Sequence, residues 1–126
     1  MVYNMARNQL TPTKAQMKKI PALYAQDGTA DPMVYVRYFF GGRGAFYATE
    51  CNPETMTFFG YMISPLGRDC DELGYITLEQ LVSVAPAGMV ERDQYFQPKP
   101  MSEACKQNGD PLPTMWMPYK FTSNAP

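Results

Sequence analysis

Alternation with a period of two dominates the first half of the chain. In MVYVRYFF (33–40), Val34, Val36, Tyr38 and Phe40 fall on one face, and Tyr35, Arg37 and Phe39 fall on the other. That is the period of a β-strand, and its β-branched and aromatic residues suit one. Both faces are largely apolar, so this strand is expected near the middle of a sheet, covered on both sides. AFYATEC (45–51) and TFFGYMI (57–63) supply two more strands, and Gly74-Tyr75-Ile76 starts a short fourth. Gly41-Gly42-Arg43-Gly44 reads as a hairpin turn, because glycine reaches positive φ without a Cβ clash. Asn52-Pro53-Glu54-Thr55 makes the next turn, and residues 64–73 form an acidic loop. Links this short favour antiparallel pairing, since a parallel crossover needs about a dozen residues or more. Gly60 inside the third strand marks a bulge or the close approach of another backbone.

Helical signals flank the strands. Thr11 can cap a helix over about 12–19 with Pro12 at its first position, and Met17, Ile20 and Tyr24 fall close to one face. Lys18 and Lys19 suit its C-terminal end, and Pro21 stops it. Thr77-Leu78-Glu79-Gln80 matches a capping box and predicts a helix over about 78–84, limited by Pro86. Met89 to Phe96 reads as strand or extended chain, Pro98 and Pro100 enforce extension, and Ser102-Glu103 opens at most one more helical turn. The predicted fold is α+β: an antiparallel β-meander of about four strands with two or three short helices packed on it. Residues 1–107 form the single domain, and 108–126 a Pro/Met-rich C-terminal tail. Tyr61, Tyr75, Tyr95 and Phe96 are expected to be buried framework.

Composition narrows the classes. A chain of 126 residues is one domain's worth, and its nine Tyr and seven Phe supply much of the area available for burial. No run approaches the ~18–20 apolar residues of a membrane span, and the first residues lack a signal peptide's apolar stretch, so a soluble, cytoplasmic protein is expected. Cys51, Cys70 and Cys105 are odd in number and widely spaced, which suits idle thiols better than a disulfide scaffold. Net charge is −1, against a generic basic-patch nucleic-acid binder. The charge is unevenly spread: residues 1–26 carry Arg7, Lys14, Lys18 and Lys19 with no acid, whereas 50–93 carry eight acids against Arg68 and Arg92. Such a split can steer a partner, or simply be a solvated surface.

With no histidine, Ser–His and Cys–His hydrolases are excluded, and no G-x-S-x-G elbow or phosphate-binding loop occurs. Asp69, Asp71 and Glu72 offer carboxylates for a metal-dependent hydrolase, but without the spacing of a calcium loop. No catalytic residue, metal or cofactor is assigned. Arg43-Gly44-Ala45-Phe46-Tyr47-Ala48 is similar to the basic-Gly-aromatic run of an RNA-recognition strand, which makes Tyr35, Arg37, Arg43 and Phe46 candidates for stacking on a single-stranded nucleic acid. Glu50, at the end of that run, opposes phosphate. Met115, Trp116 and Met117 suit a protein-binding surface, unless the tail folds back over the sheet edge.

IPALYAQD, DPMVYVRYF, FYATE, FFGY, ELGYITLEQL and ERDQYFQPKPMSE occur in this order, and together they resemble the bacterial domain-of-unknown-function family 2958 over roughly residues 17–103. Members of that family are small single-domain proteins, frequently encoded on plasmids, phages and integrative elements. The resemblance brings no activity and no catalytic residue. It implies a non-enzymatic binding module of a mobile genetic element, an inhibitor of host restriction or CRISPR defence acting by protein–protein contact with a host complex. Two departures stand out. The family usually has an aromatic-rich turn where this chain has Gly41-Gly42-Arg43-Gly44, and the tail after Lys106 lies outside the shared region.

Overall fold

The alternating segments pair with their chain neighbours. The structure is a computed structural model that describes residues 2–64, 66–67 and 70–113. In chain order its elements are α1 (Val2–Leu10), α2 (Lys14–Lys19), β1 (Met33–Val34), β2 (Val36–Phe39), β3 (Ala45–Asn52), β4 (Thr57–Ile63) and β5 (Glu72–Thr77). There follow α3 (Leu78–Gly88), β6 (Glu91–Arg92), β7 (Lys99–Pro100) and α4 (Met101–Gln107). Strands β2 to β5 form the expected antiparallel meander, and β6 joins β2 at its outer side, giving the order β5-β4-β3-β2-β6. β1 and β7 pair separately as a two-stranded antiparallel ribbon. The fold is α+β; among the described residues the main sheet has five strands where about four were expected, and there are four helices where two or three were expected.

Each face of the sheet carries its own core. On one, Val36, Tyr38, Phe46, Ala48 and Phe58 pack under Leu10 of α1 and Leu78, Leu81 and Val82 of α3. On the other, Ala45, Tyr47, Tyr61 and Ile63 pack under Phe96 and under Met101, Ala104 and Cys105 of α4. A bulge at Thr49 sets which residue goes where. The register passes from Ala48↔Gly60 to Glu50↔Phe59, so Cys51 joins the α1/α3 core and Glu50 turns to the opposite face. There the buried Glu50 carboxylate accepts the backbone N–H of Tyr24 (2.6 Å) and Gln26 (3.1 Å), closing the loop after α2. Gly60 lies directly opposite. A Cβ at that position would stand 2.0 Å from the Tyr47 carbonyl oxygen, so the close approach anticipated there is real.

Several elements depart from expectation. α2 begins two residues later than predicted, because Thr13, not Thr11, makes the reciprocal cap with Gln16. α3 has the predicted Thr77–Gln80 capping box but runs past Pro86 to Gly88, since a proline in the last turn forfeits only one donor. The strand expected over 34–40 is split at Tyr35, because Met33 and Val34 leave the sheet to pair with β7. α4 is two turns long, and Asp31 supplies the cap that its own sequence lacks: the Ser102 N–H donates to Oδ1 (2.9 Å) and the Ser102 hydroxyl to Oδ2 (2.5 Å). α1 was not anticipated. Its C-terminal carbonyls are taken up by the Tyr38 hydroxyl (on Leu10, 2.6 Å), Arg92 Nε (on Gln9, 3.3 Å) and the Thr11 hydroxyl (on Arg7, 2.6 Å).

Tyr61 and Phe96 are buried, as expected. Tyr75 and Tyr95 are not, at 53% and 87% exposed. Tyr75 sits on the free edge strand β5, and Tyr95 in a turn held by its N–H donating to Asp93 Oδ1 (3.0 Å). Past α4, the Tyr47 hydroxyl donates to Asp110 Oδ2 (2.5 Å), Leu112 packs on the α4 core and Pro113 is buried.

Candidate functional site: an apolar groove between α3 and the sheet

The α1/α3 face is not fully closed. The Thr77–Gln80 cap fixes the start of α3, so that Leu78, Leu81 and Val82 point into the core and Val84 is left at the helix edge, 48% exposed. Beside it the sheet presents Met62 and Ile76, and the β2–β3 turn presents Phe40, Gly41 and Gly42. Between them lies a groove of about 810 Å³, within the ~300–1,000 Å³ range of pockets that enclose a ligand. Leu66 (86% exposed) and Met89 (65%) stand at its rim. Leu66, Val84 and Met89, three of the seven large exposed hydrophobics among the described residues, gather around this groove, so apolar exposure is concentrated there. Among the described residues lining it Glu72 is the one that carries a charge, and Ser64, Cys70 and Gln80 add polar groups.

Met89 ends α3 in the left-handed region (φ 54°, ψ 45°), a conformation that costs a side chain about 1–2 kcal/mol and that glycine adopts freely. Its side chain lies against Gly41, where an added Cβ would meet Met89 Cβ and Sδ at 3.2 Å. A strained backbone here holds a flexible thioether over the groove mouth. On the opposite side of the β5 edge, Tyr75 packs on Phe59 (ring centroids 5.0 Å apart), and a hydrogen bond with Tyr24 is the main cause that pushes its hydroxyl up to about 12.

The residues singled out for nucleic acid do not form one platform. Phe46 is buried in the α1/α3 core, paired with Tyr38, whereas Arg37 pairs with Tyr47 on the other face. Arg43 donates to Asp71 (2.9 and 2.6 Å) and to the Ser64 carbonyl, bracing the β2–β3 turn. Arg37 faces Asp93 (3.4 Å) and lies 5.3 Å from the Phe39 ring and 5.5 Å from the Tyr47 ring. Its Nε is a buried donor with no hydrogen-bond partner among the described residues. Tyr35 stands apart, packed toward the α1/α3 side near α2. Of the carboxylates considered for metal chemistry, Asp71 is engaged by Arg43 and by the Ser64 N–H (2.7 Å), Glu72 lines the groove, and Asp69 lies outside the described residues. No group of three or more His, Cys, Asp or Glu among the described residues is placed to hold a metal ion. Met115, Trp116 and Met117 lie outside the described residues. Cys51 and Cys105 are buried, which pushes their thiols up to about 11 and about 12, and Cys70 is exposed at the groove.

Sheet, helices and groove together define a small α+β domain with a preformed apolar cleft. The chain belongs to the family described as protein of unknown function (DUF2958), whose model matches residues 4–110. That match extends past Lys106 to Asp110, the residue bonded to Tyr47. Neither the curated proteins nor the solved structures gave a match to this chain. No helix among the described residues is long and apolar enough to cross a membrane.

Proposed function

We propose that this protein is a non-enzymatic binding module that holds an apolar segment of another protein in the groove between α3 and the sheet. The observation that supports it is the concentration of exposed apolar side chains around the groove, with Met89 kept there in a conformation unfavourable for a side chain. The partner segment that fits is an amphipathic helix, which would offer Leu, Met or Phe at helical spacing to Val84, Met89 and Leu66. A Lys or Arg at its flank would face Glu72 on the groove wall. In the setting that the family implies, the module works in the cytoplasm for a mobile genetic element, and its partner is a component of a host defence complex.

The test is affinity capture from host lysate with the wild type and Val84→Asp side by side, followed by titration of the purified captured protein. Val84 is half exposed, so the variant keeps a wild-type melt. A charge in the apolar contact is expected to weaken binding at least about tenfold. A partner that binds Val84→Asp as tightly as the wild type would overturn the groove reading.

A further inference from the structure

A second concavity lies at α2, on a part of the surface that the groove does not reach. It measures about 160 Å³, well under the ~300–1,000 Å³ of pockets that enclose a whole ligand. Lys19 of α2 and Arg92 of β6 line it, together with Gln16, Gln94, Gln97 and Tyr35. Among the described residues that line it there is no carboxylate. The acids next to Arg92 in sequence do not neutralise it. Glu91 pairs with Phe39 and so alternates to the other face of the sheet, and Asp93 faces Arg37. Arg92 is held in place by two long contacts, Nε to the Gln9 carbonyl (3.3 Å) and Nη1 to Gln16 Oε1 (3.4 Å), which leave donors of its guanidinium to spare. Gln16 Oε1 also accepts the Thr13 N–H (2.9 Å), so what Gln16 offers the cleft is its amide donors. Among the described residues the Lys19 side chain makes neither an ion pair nor a hydrogen bond. Lys14 and Lys18 stand on the same short helix, which carries no acid. Lys19, from the basic end of the chain, and Arg92, from β6, thus meet in one concave, donor-rich surface.

We propose that this cleft binds a phosphate monoester, with Lys19 and Arg92 on the phosphate oxygens, the glutamine amides completing their hydrogen bonds, and Tyr35 beside the group the phosphate carries. The pairing of a guanidinium with an ammonium suits a compact dianion, the former by its planar fork and the latter as a point charge. The volume admits the phosphate and part of its substituent, and not a whole nucleotide. The site is independent of the groove, so loss of one leaves the other intact.

Amide chemical shifts of the full chain, titrated at constant ionic strength with sodium phosphate, AMP and adenosine, test it. Phosphate and AMP are expected to give saturable shifts centred on Lys19, Arg92, Gln94 and Gln97, with dissociation constants on the order of 1 mM. Adenosine is expected to give none. AMP is expected to bind more tightly than phosphate, because Tyr35 stands beside the group the phosphate carries, and equal binding of the two would overturn the monoester assignment. Lys19→Glu, at an exposed position with no partner to lose, should weaken binding at least tenfold, and Arg92→Gln provides the second variant. Shifts spread over all surface lysines, binding of adenosine equal to AMP, or unchanged binding in Lys19→Glu would each overturn the proposal.

Discussion

On one side of the sheet, α4, the β1–β7 ribbon and residues 110–113 close over Tyr47, Tyr61 and Ile63. On the other, α1 and α3 bury Tyr38, Phe46 and Phe58 but leave Met62 and Ile76 only half covered beside exposed Val84, Leu66 and Met89. The same five strands support both sides, so the difference lies in what covers them. The closed side is fastened by specific long-range bonds, Asp31 on α4 and Asp110 on Tyr47. On the open side Tyr38 and Arg92 hold the end of α1, and Arg7 pairs with Glu79 between α1 and α3, but a gap is left where α3 ends. Stability should therefore respond most to changes in the sheet and the closed side, and binding to changes at the open one.

The largest effect is expected at the seam common to both faces. Gly60→Ala places a Cβ 2.0 Å from the Tyr47 carbonyl, so β3 and β4 must separate, and a loss of about 4 kcal/mol or more is expected in denaturant unfolding. Next comes the closed face itself. Phe96→Ala should cost about 3–5 kcal/mol, the range of large core truncations, and near-wild-type stability would show that this face is less packed than its burial implies. Tyr47→Phe removes the bond to Asp110. A loss of about 1.5–3 kcal/mol is expected, with faster amide exchange at residues 110–113, because the acceptor is a carboxylate that loses its donor.

A smaller, pH-dependent effect concerns both faces at once. Cys51 lies in one core and Cys105 in the other, and burial raises their thiols from 9.0 to about 11 and about 12. The folded state binds these protons more tightly than the unfolded state does. Their contribution is therefore whole below about pH 9 and is lost as the pH climbs through 11 to 12. Melting scans from pH 8 to 11 should show a falling midpoint, and the fall should be shallower in Cys105→Ala than in the wild type.

Much of the sheet was legible in sequence because its instructions are local. Period-two alternation, the glycine turn at 41–44 and the Thr77–Gln80 box each act within a few residues. What escaped depends on distant partners. α4 is capped by Asp31, 71 residues away, α1 is closed by Tyr38 and Arg92, and β6 joins β2 from across the chain. The bulge at Thr49 turned Glu50 from a residue opposing phosphate into a buried staple for the loop at Tyr24. Alternation also cannot say which strand is the edge, which is why Tyr75 was misplaced in the core. The groove left one trace in the sequence. Helices commonly close on glycine in the left-handed position, yet here Gly88 stands inside α3 and Met89 takes that conformation.

That trace gives the most direct measurement of the central claim. Met89→Gly removes the exposed thioether and relieves the left-handed strain, so binding and stability should move in opposite directions. The expected result is a melting midpoint equal to the wild type or higher, by up to about 1 kcal/mol of stability, together with at least a tenfold loss of affinity for the protein captured by the wild type. Reduced stability with undiminished binding would contradict the account, because Met89 would then be a packing residue and the groove no docking site.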